Sequence, residues 1–416
     1  MNKRVFFKTF GCRTNQFDTQ VMISKLREFE LSLNEEESDI VVVNSCTVTN
    51  GADASVRSYI NGLKRKNPHL KVVLAGCGSH SKGESLFGDE KVFGVMGHSE
   101  KEKINEILKR PERFYEIGDL RHIDSTIVEE FVGKSRAFVK IQEGCDFRCS
   151  YCIIPAVRGD ARSHREEIIL AQIQKLASNG FGEFILTGTN VGSYGRDQGS
   201  SMAKLLKSIS TIRGVRRIRI GSLEPIQIDD EFLELLGEPW MARHLHIALQ
   251  HSSDTMLELM SRRNRFDTDL ELFEKIASKG YALGTDFIVG HPGETDEVWG
   301  EAMDHIERFP LTHLHAFRYS KRDNTPSALM RPEILGNRAK DRHRELTEVV
   351  KAKNFAFRQS HSKNLEVLLE NGSGGIYHGF DQYFNRVEVL SDEDLSSNWV
   401  LLNQVEVNRE GNRTKF

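Results

Sequence analysis

The chain has 416 residues, 28% of them charged, and a formal net charge of −3 at pH 7. This length predicts two or three domains, each large enough to bury a core of its own. The small net charge excludes a uniformly basic surface, so any contact with nucleic acid has to come from a local patch. The chain shows no secretion signal and no apolar run long enough to span a membrane, so we expect a cytoplasmic protein.

Residues 1–125 are predicted to form a domain of alternating strands and helices. Several of the strands are continuous runs of β-branched residues, which is typical of strands buried on both faces. The alternation favours a parallel sheet with helices on both sides. The predicted strands are 4–9, 39–46, 71–77 and 92–97.

Three of the six cysteines lie at equivalent places in this domain: Cys12, Cys46 and Cys77 each end a predicted strand or follow it closely. The carboxyl ends of parallel strands share one edge of a sheet, so we expect the three thiols to meet there. Thiolates are soft ligands that favour zinc, copper(I) or iron–sulfur clusters. Three thiols with no fourth ligand predict a [4Fe–4S] cluster with one open iron. The alternative is three buried cysteines that behave as small apolar residues.

Residues 133–355 are predicted to form a second series of about six βα units. This is fewer than the eight units that close a TIM barrel, so the pattern indicates an open, partial barrel. The chemistry of such barrels lies at the carboxyl ends of the strands. The predicted strands are 135–142, 183–188, 216–220, 244–249, 284–289 and 313–317.

Cys145, Cys149 and Cys152 form a C-x3-C-x2-C motif directly after the first of these strands. Three close thiols suit a [4Fe–4S] cluster with one open iron better than a structural zinc ion, which needs four ligands. The spacing resembles the signature of radical S-adenosylmethionine (SAM) enzymes. In those enzymes the open iron binds SAM, and reductive cleavage of SAM yields a 5′-deoxyadenosyl radical.

Polar residues follow the predicted barrel strands and form a candidate site for SAM. Glu224 and Ser222 suit the ribose hydroxyls, whereas Asn190 and Gln250 suit the amino-acid end of SAM. Any one of them alone is equally well explained as a helix cap or a turn residue. As a set on one rim they favour a site, although no catalytic residue can be assigned.

Six further residues are candidates for binding the substrate. Thr187, Thr189 and Tyr194 lie in the loop after the second strand of the barrel. Arg148 lies within the cysteine motif and Arg158 lies six residues after it, so both could face an anionic substrate, and Arg318 follows the last strand. Other arginines cluster at 213–219 and predict either phosphate contacts or a solvated charged face.

Residues 358–416 contain short alternating segments at 365–370, 382–389, 400–402 and 405–407, which predict a small β-barrel. This segment has 6 Lys and Arg against 9 Asp and Glu. Its acidity weakens the case for it as the main RNA-binding surface.

The combined motifs resemble those of the radical SAM methylthiotransferases over nearly the whole chain. The matching segments are 9–15, 43–49, 75–77, 143–152 and 285–295. The resemblance implies an amino-terminal methylthiotransferase domain, a radical SAM core and a TRAM-like β-barrel. It also implies two [4Fe–4S] clusters, SAM, the anticodon stem-loop of a tRNA as partner, and an electron donor such as flavodoxin or ferredoxin.

The loop Thr187–Gly195 is similar to a T-G-x-N-[IV]-G-x-Y-G pattern of one branch of this family. That branch adds a methylthio group to C2 of N6-threonylcarbamoyladenosine 3′ of the anticodon. Two other branches act on isopentenyl-adenosine in tRNA and on an aspartate of a ribosomal protein. A non-catalytic, metal-binding RNA-binding protein is the alternative outside the family. The oligomeric state is not indicated by the sequence.

Overall fold

The computed structural model of the protein describes residues 3–131 and 134–416. Residues 1 and 2 and the predicted domain start at residue 133 lie outside the described residues. In the described part, no helix is both long enough and apolar enough to cross a membrane.

The amino-terminal domain is built on six parallel strands in the order β2-β1-β3-β4-β5-β6. Ile40 and Val42 contribute to the core on one face of this sheet, and Val41 and Val43 to the core on the other face. The predicted parallel sheet with two covered faces is therefore confirmed. Its elements are β1 (Arg4–Thr9), α1 (Arg13–Lys25), β2 (Glu30–Leu31), β3 (Ile40–Ser45), α2 (Asn50–Lys66), β4 (Lys71–Gly76), α3 (Cys77–Gly88), β5 (Gly94–Met96), α4 (Ile104–Leu108) and β6 (Phe114–Glu116).

The central part alternates parallel strands with helices. Its elements are β7 (Ala137–Lys140), β8 (Gln142–Glu143), α5 (Ile154–Arg158), β9 (Arg162–Ser163), α6 (Glu166–Ser178), β10 (Glu183–Thr187), α7 (Met202–Ser210), β11 (Arg217–Ile220), α8 (Asp230–Glu234), β12 (His244–His246), α9 (Asp254–Leu259), α10 (Phe266–Ala277), β13 (Ala282–Val289), α11 (Asp296–Arg308), β14 (His313–Arg318) and α12 (Gly336–Ser360). The short strands β8 and β9 pair antiparallel on either side of the cysteine motif.

Six parallel strands of this part curve into an open barrel. Strands β7, β10 and β11 form one sheet, and β12, β13 and β14 form another. Parallel bridges from Ile218 to Met241 and from Leu223 to Ile247 link the two sheets. The predicted partial barrel of six βα units is thus confirmed.

The carboxyl-terminal part is a six-stranded sheet in the order β18-β15-β16-β17-β20-β19. Its strands are β15 (Lys363–Leu369), β16 (Ile376–Phe380), β17 (Arg386–Leu390), β18 (Trp399–Gln404), β19 (Glu406–Val407) and β20 (Asn412–Lys415). The sheet curls around a core that includes Leu365, Val387 and Val400. It is a half-barrel, because strands β18 and β19 form its two ends. The strand predicted at 382–389 begins only at Arg386, because residues 381–385 form a turn.

Buried ion pairs attach this sheet to the barrel. Arg217 donates to the carboxylates of Glu183, at 2.9 Å, and of Glu366, at 2.7 Å. Arg219 donates to Glu183 and to the backbone oxygen of Asp381, at 3.0 and 2.5 Å. Arg217 and Arg219 therefore connect the carboxyl-terminal sheet to the barrel. The prediction that the arginines at 213–219 contact phosphate or form a solvated face is wrong for these two residues.

Phe384 packs at the amino-terminal ends of two barrel strands, β12 and β14. Its ring centroid lies 5.1 Å from that of His244, the first residue of β12, and 6.4 Å from that of His313, the first residue of β14. The guanidinium carbons of Arg219 and Arg13 lie 5.1 and 5.5 Å from the same ring. All three parts of the chain therefore meet at this residue.

Candidate functional site

The amino-terminal cysteines lie together at the carboxyl edge of the first sheet. Cys12 directly precedes α1, Cys46 follows β3, and Cys77 begins α3 after β4. Strands β1, β3 and β4 are neighbours in the sheet, so the three residues share one edge. Gly11 shows how closely they approach, since a β-carbon there would lie 2.6 Å from Cys46 Cβ. Gly11 also has a φ of +96°, a region that favours glycine.

The second cysteine motif lies on a loop between β8 and α5 that backbone hydrogen bonds hold in place. The Cys145 amide donates to the Gly159 oxygen at 3.0 Å, and the Ser150 amide donates to the Met260 oxygen at 2.9 Å. Cys145, Cys149 and Cys152 are all partly exposed. This motif is therefore open to a ligand from solvent.

The spacing of the sulfur atoms distinguishes a cluster from a single metal ion. Four thiolates around zinc at about 2.3 Å lie about 3.8 Å from one another. Among the described residues, neither cysteine triad brings its three sulfur atoms within 4.8 Å of one another. In a [4Fe–4S] cluster each thiolate binds a different iron, which needs wider spacing. Both triads therefore fit a cluster better than one zinc ion.

Burial keeps several of these thiols protonated when no metal is bound. It raises the pKa of Cys46 to about 11 and the pKa of Cys152 to about 12. Burial also raises the pKa of Cys77, although the Arg158 guanidinium opposes this shift. A metal or cluster that binds these sulfurs must displace their protons.

Arg158 connects the surroundings of the two triads. It lies on α5, six residues after Cys152, and its Nε donates to Cys77 Sγ at 3.2 Å. Its Nη2 donates to Asn15 at 2.5 Å and to Asp18 at 3.1 Å, and Nη1 donates to Glu143. Asn15 and Asp18 belong to α1, whereas Glu143 precedes the second cysteine motif. One side chain thus fixes the two cysteine sites against each other.

Lys140 extends this contact into a buried charge network. Its Nζ lies 2.6 Å from carboxylate oxygens of both Asp18 and Asp124, and Lys101 contacts the same two carboxylates at 2.9 and 2.5 Å. Burial alone would raise the pKa of Asp18 and of Asp124. Lys101 and Lys140 more than offset it and hold both pKa values well below their ordinary range. We name Asp18, Lys101, Asp124, Lys140, Glu143 and Arg158 the interdomain charge network.

Two of the predicted SAM contacts lie beside the second triad. Asn190 Nδ2 is 3.5 Å from Cys145 Sγ. Both carboxylate oxygens of Glu224 contact Arg262, at 2.9 and 2.5 Å, and Arg262 in turn lies 3.9 Å from Cys149 Sγ. Cys149, Glu224 and Arg262 line a cavity of about 180 Å³. Sequence reasoning missed Arg262, which fixes the Glu224 carboxylate.

The other two predicted SAM contacts lie against β13. Ser222 is exposed, and its hydroxyl is 3.4 Å from Asp286. Gln250 has a φ of +65°, and its backbone bonds to Asp286 and Ile288. The four residues therefore divide into two pairs, and their role in SAM binding stays a prediction.

Of the three predicted substrate contacts at 187–195, Thr187 and Tyr194 are buried and Thr189 is partly exposed. The Thr187 hydroxyl is 3.4 Å from that of Thr14 in α1, and the Thr189 hydroxyl accepts from the Gly144 amide at 3.2 Å. Tyr194 is 1% exposed. This loop packs against both the amino-terminal domain and the cysteine motif, so it positions them. Direct substrate contact by these residues stays a prediction.

The three predicted arginines have different surroundings. Arg148 is exposed and donates to the Cys145 oxygen and to Asp160, at 2.9 and 2.6 Å. Arg158 is buried in the network described above. Arg318 is exposed and, with Asn50 and Lys321, lines a cavity of about 600 Å³ between the amino-terminal domain and the barrel.

Two family profiles match the two segments of the chain that carry the cysteine triads. Residues 4–97 match the profile of the uncharacterized protein family UPF0004, and residues 139–306 match the radical SAM superfamily. A Helicobacter pylori protein with a provisional assignment as a methylthiotransferase is 52% identical over 419 residues and covers all of both chains.

Relatives named for a tRNA substrate are more distant. The threonylcarbamoyladenosine tRNA methylthiotransferase of Aquifex aeolicus is 35% identical, over 88% of this chain and 92% of its own. The tRNA-2-methylthio-N6-dimethylallyladenosine synthase of a Hydrogenobaculum species is 32% identical, over 90% of each chain. Among solved structures, a radical SAM methyltransferase of Kitasatospora setae has a TM-score of 0.62 at 15% identity, over 79% of this chain and 77% of its own, which shows the fold alone.

Replacing Lys140 with Met is expected to lower the free energy of unfolding by about 3–5 kcal/mol, because it leaves the buried carboxylates one cation short. Denaturant unfolding of the purified chain measures this loss. Lys351→Met is the matched control, since Lys351 pairs with Glu348 on the surface at 3.1 Å. The control should change stability by no more than about 1 kcal/mol. Equal losses in the two variants would contradict the role of the network.

Proposed function

Because this chain belongs to the radical SAM methylthiotransferases, we propose that it adds a methylthio group to C2 of N6-threonylcarbamoyladenosine 3′ of the anticodon in tRNA. Members of this family use SAM and [4Fe–4S] clusters. The proposal therefore concerns which residues hold these groups and which adenosine is modified.

The observation that carries the proposal is the contact between the two cysteine sites through Arg158. Transfer of sulfur to carbon needs a sulfur donor within reach of the carbon that is activated. Arg158 donates to Cys77 Sγ at 3.2 Å and also to Glu143, two residues before Cys145. This bridge supports a reaction in which the two triads act on one substrate.

The cysteines divide into two sets of ligands. A cluster with SAM, when bound, supplies the radical chemistry that an unactivated C–H bond requires. Cys145, Cys149 and Cys152 would hold that cluster, and the Glu224 carboxylate, fixed by Arg262, would accept hydrogen bonds from the ribose of SAM. Cys12, Cys46 and Cys77 would hold the second cluster, on the side of the sulfur donor.

Two features support a tRNA substrate with the threonylcarbamoyl modification. The loop Thr187–Gly195 has the pattern similar to that branch and packs against the second cysteine motif. Arg318 places positive charge at the cavity between the amino-terminal domain and the barrel, and Lys321 lines the same cavity, where it pairs with Glu333 at 3.8 Å. Such side chains suit the phosphates of an anticodon loop. The similarity to the Hydrogenobaculum protein favours the isopentenyl-type adenosine as the second candidate.

Cys149→Ala and Cys12→Ala are expected to remove one cluster each, leaving about half of the iron and sulfide of the wild-type protein. Only Cys149→Ala should abolish reductive cleavage of SAM, because the two sets of cysteines have different roles. Anaerobic reconstitution, iron analysis and chromatography of 5′-deoxyadenosine measure these effects. Cleavage of SAM by Cys149→Ala would show that the roles are assigned wrongly.

Deletion of the gene is expected to remove the 2-methylthio derivative of threonylcarbamoyladenosine from total tRNA and to leave that of isopentenyl-adenosine unchanged. Mass spectrometry of nucleosides measures both in one digest, and a plasmid copy with Cys149→Ala serves as the inactive control. Loss of the isopentenyl derivative alone would replace the first candidate with the second. If both derivatives stay unchanged, a tRNA substrate is excluded.

Arg158→Met is expected to make the midpoint potential of the amino-terminal cluster more negative, because a positive charge beside a thiolate ligand stabilises the reduced cluster. The Cys149→Ala background leaves this cluster alone for a redox titration followed by electron paramagnetic resonance. Arg158→Lys retains the charge and should shift the potential less. The exposed Arg148→Met is the matched control, and equal potentials in all variants would contradict the contact with Cys77.

A further inference from the structure

Three barrel strands bring two imidazoles and a carboxylate together at His246 on β12, Asp286 on β13 and His315 on β14. Asp286 Oδ1 lies 3.1 Å from His246 Nε2 and 3.3 Å from His315 Nδ1. The two imidazole rings are stacked, with centroids 4.8 Å apart. In the part of the chain that the structure describes, this is the one group of three His, Cys, Asp or Glu ligand atoms within 4.8 Å of one another.

The register of the strands builds this group. Asp286 pairs directly with His315, and Gly284, two residues earlier, pairs with His246. Phe287 packs toward Trp299 of α11, so alternation along the strand turns Gly284 and Asp286 to the face away from that helix. A β-carbon at residue 284 would lie 2.8 Å from His246 Nδ1. Glycine on the middle strand therefore makes room for the imidazole.

The contacts within the group are close but are not aligned as hydrogen bonds. His246 Nε2 is buried and has no hydrogen-bond partner among the described residues, although a carboxylate oxygen lies 3.1 Å away. An N–H that does not point at its acceptor gains little energy. A buried nitrogen without a partner is destabilising, and an ion at that position is one explanation for it.

We propose that His246, Asp286 and His315 bind one divalent transition-metal ion of the zinc class, separate from both cysteine triads. Imidazole suits zinc, iron, nickel and copper, and two histidines with one carboxylate form a ligand set that leaves coordination positions open. The carboxylate oxygen lies 3.1 and 3.3 Å from the two imidazole nitrogens, and all three atoms lie within 4.8 Å of one another, which is compatible with bonds of about 2.1 Å to a central ion. Such spacing is too narrow for the ligands of an iron–sulfur cluster.

The open positions of this site face solvent and suit an oxygen ligand. The His315 side chain is 59% exposed, whereas those of His246 and Asp286 are 11% and 20% exposed. The hydroxyl of Ser222 lies 3.4 Å from the second oxygen of Asp286 and could complete the surroundings. An ion here would bind water or the carboxylate or phosphate oxygen of a bound molecule. The site does not depend on which adenosine the protein modifies.

Zinc binding to the reconstituted protein tests the site, because the clusters then occupy all six cysteines. After chelation and desalting, the wild-type chain is expected to bind about one zinc ion. His315→Ala and Asp286→Asn should lose this ion, whereas His69→Ala, which removes an exposed histidine elsewhere, should retain it. Elemental analysis measures bound zinc against protein. Because His315 is largely exposed, its variant should fold and decides the outcome if Asp286→Asn does not.

X-ray absorption at the zinc edge identifies the ligands. The proposal requires a first shell of nitrogen and oxygen at about 2.0–2.2 Å, without sulfur at about 2.3 Å. A sulfur shell would overturn it, because the zinc would then occupy cysteines. Failure of the wild-type chain to bind zinc, or equal binding by wild type and His315→Ala, would also overturn it and would reduce the group to an ion pair. None of these outcomes bears on methylthio transfer, which the nucleoside measurement tests separately.

Discussion

Lys140, Asp18 and Asp124 are withdrawn from solvent where the amino-terminal domain meets the barrel, and their charges are compensated only by one another and by their neighbours. Removing one partner from such a set leaves an uncompensated charge in a medium that solvates it poorly. The set therefore forms only when both domains and the segment that carries Asp124 are correctly packed. Correct docking of the two domains, and with it the relative position of the two triads, depends on this interaction.

Arg158 extends this buried interaction to the surroundings of the two cysteine triads. Its guanidinium has five N–H donors in a rigid fork, and it uses them on two domains at once. A lysine would keep the charge but not this geometry. The residue follows the second cysteine motif by six positions and reaches a cysteine of the first. One buried side chain thus links the surroundings of the two cysteine triads.

The sequence allowed the sheets and the cysteine positions to be predicted, because runs of β-branched residues and strand-end placement are local signals. The charge network could not be predicted, since Asp18, Asp124 and Lys140 are far apart in the chain. Lys140 within the apolar segment 137–141 was the one local indication that a buried partner exists. The surroundings of Arg217 and Arg219 were predicted wrongly for a related reason, since their partners Glu183 and Glu366 lie on other strands. The proximity of His246 and His315 was not predicted, because these residues lie on β12 and β14 and come together only through the pairing of both strands with β13.

Phe384 lies against the first residues of β12 and β14. The same ring is close to Arg13 of the amino-terminal domain and to Arg219 of β11. One aromatic side chain of the carboxyl-terminal sheet therefore touches elements from all three parts of the chain. Shortening that side chain removes packing from three junctions at once, although the residues concerned are far apart in the sequence.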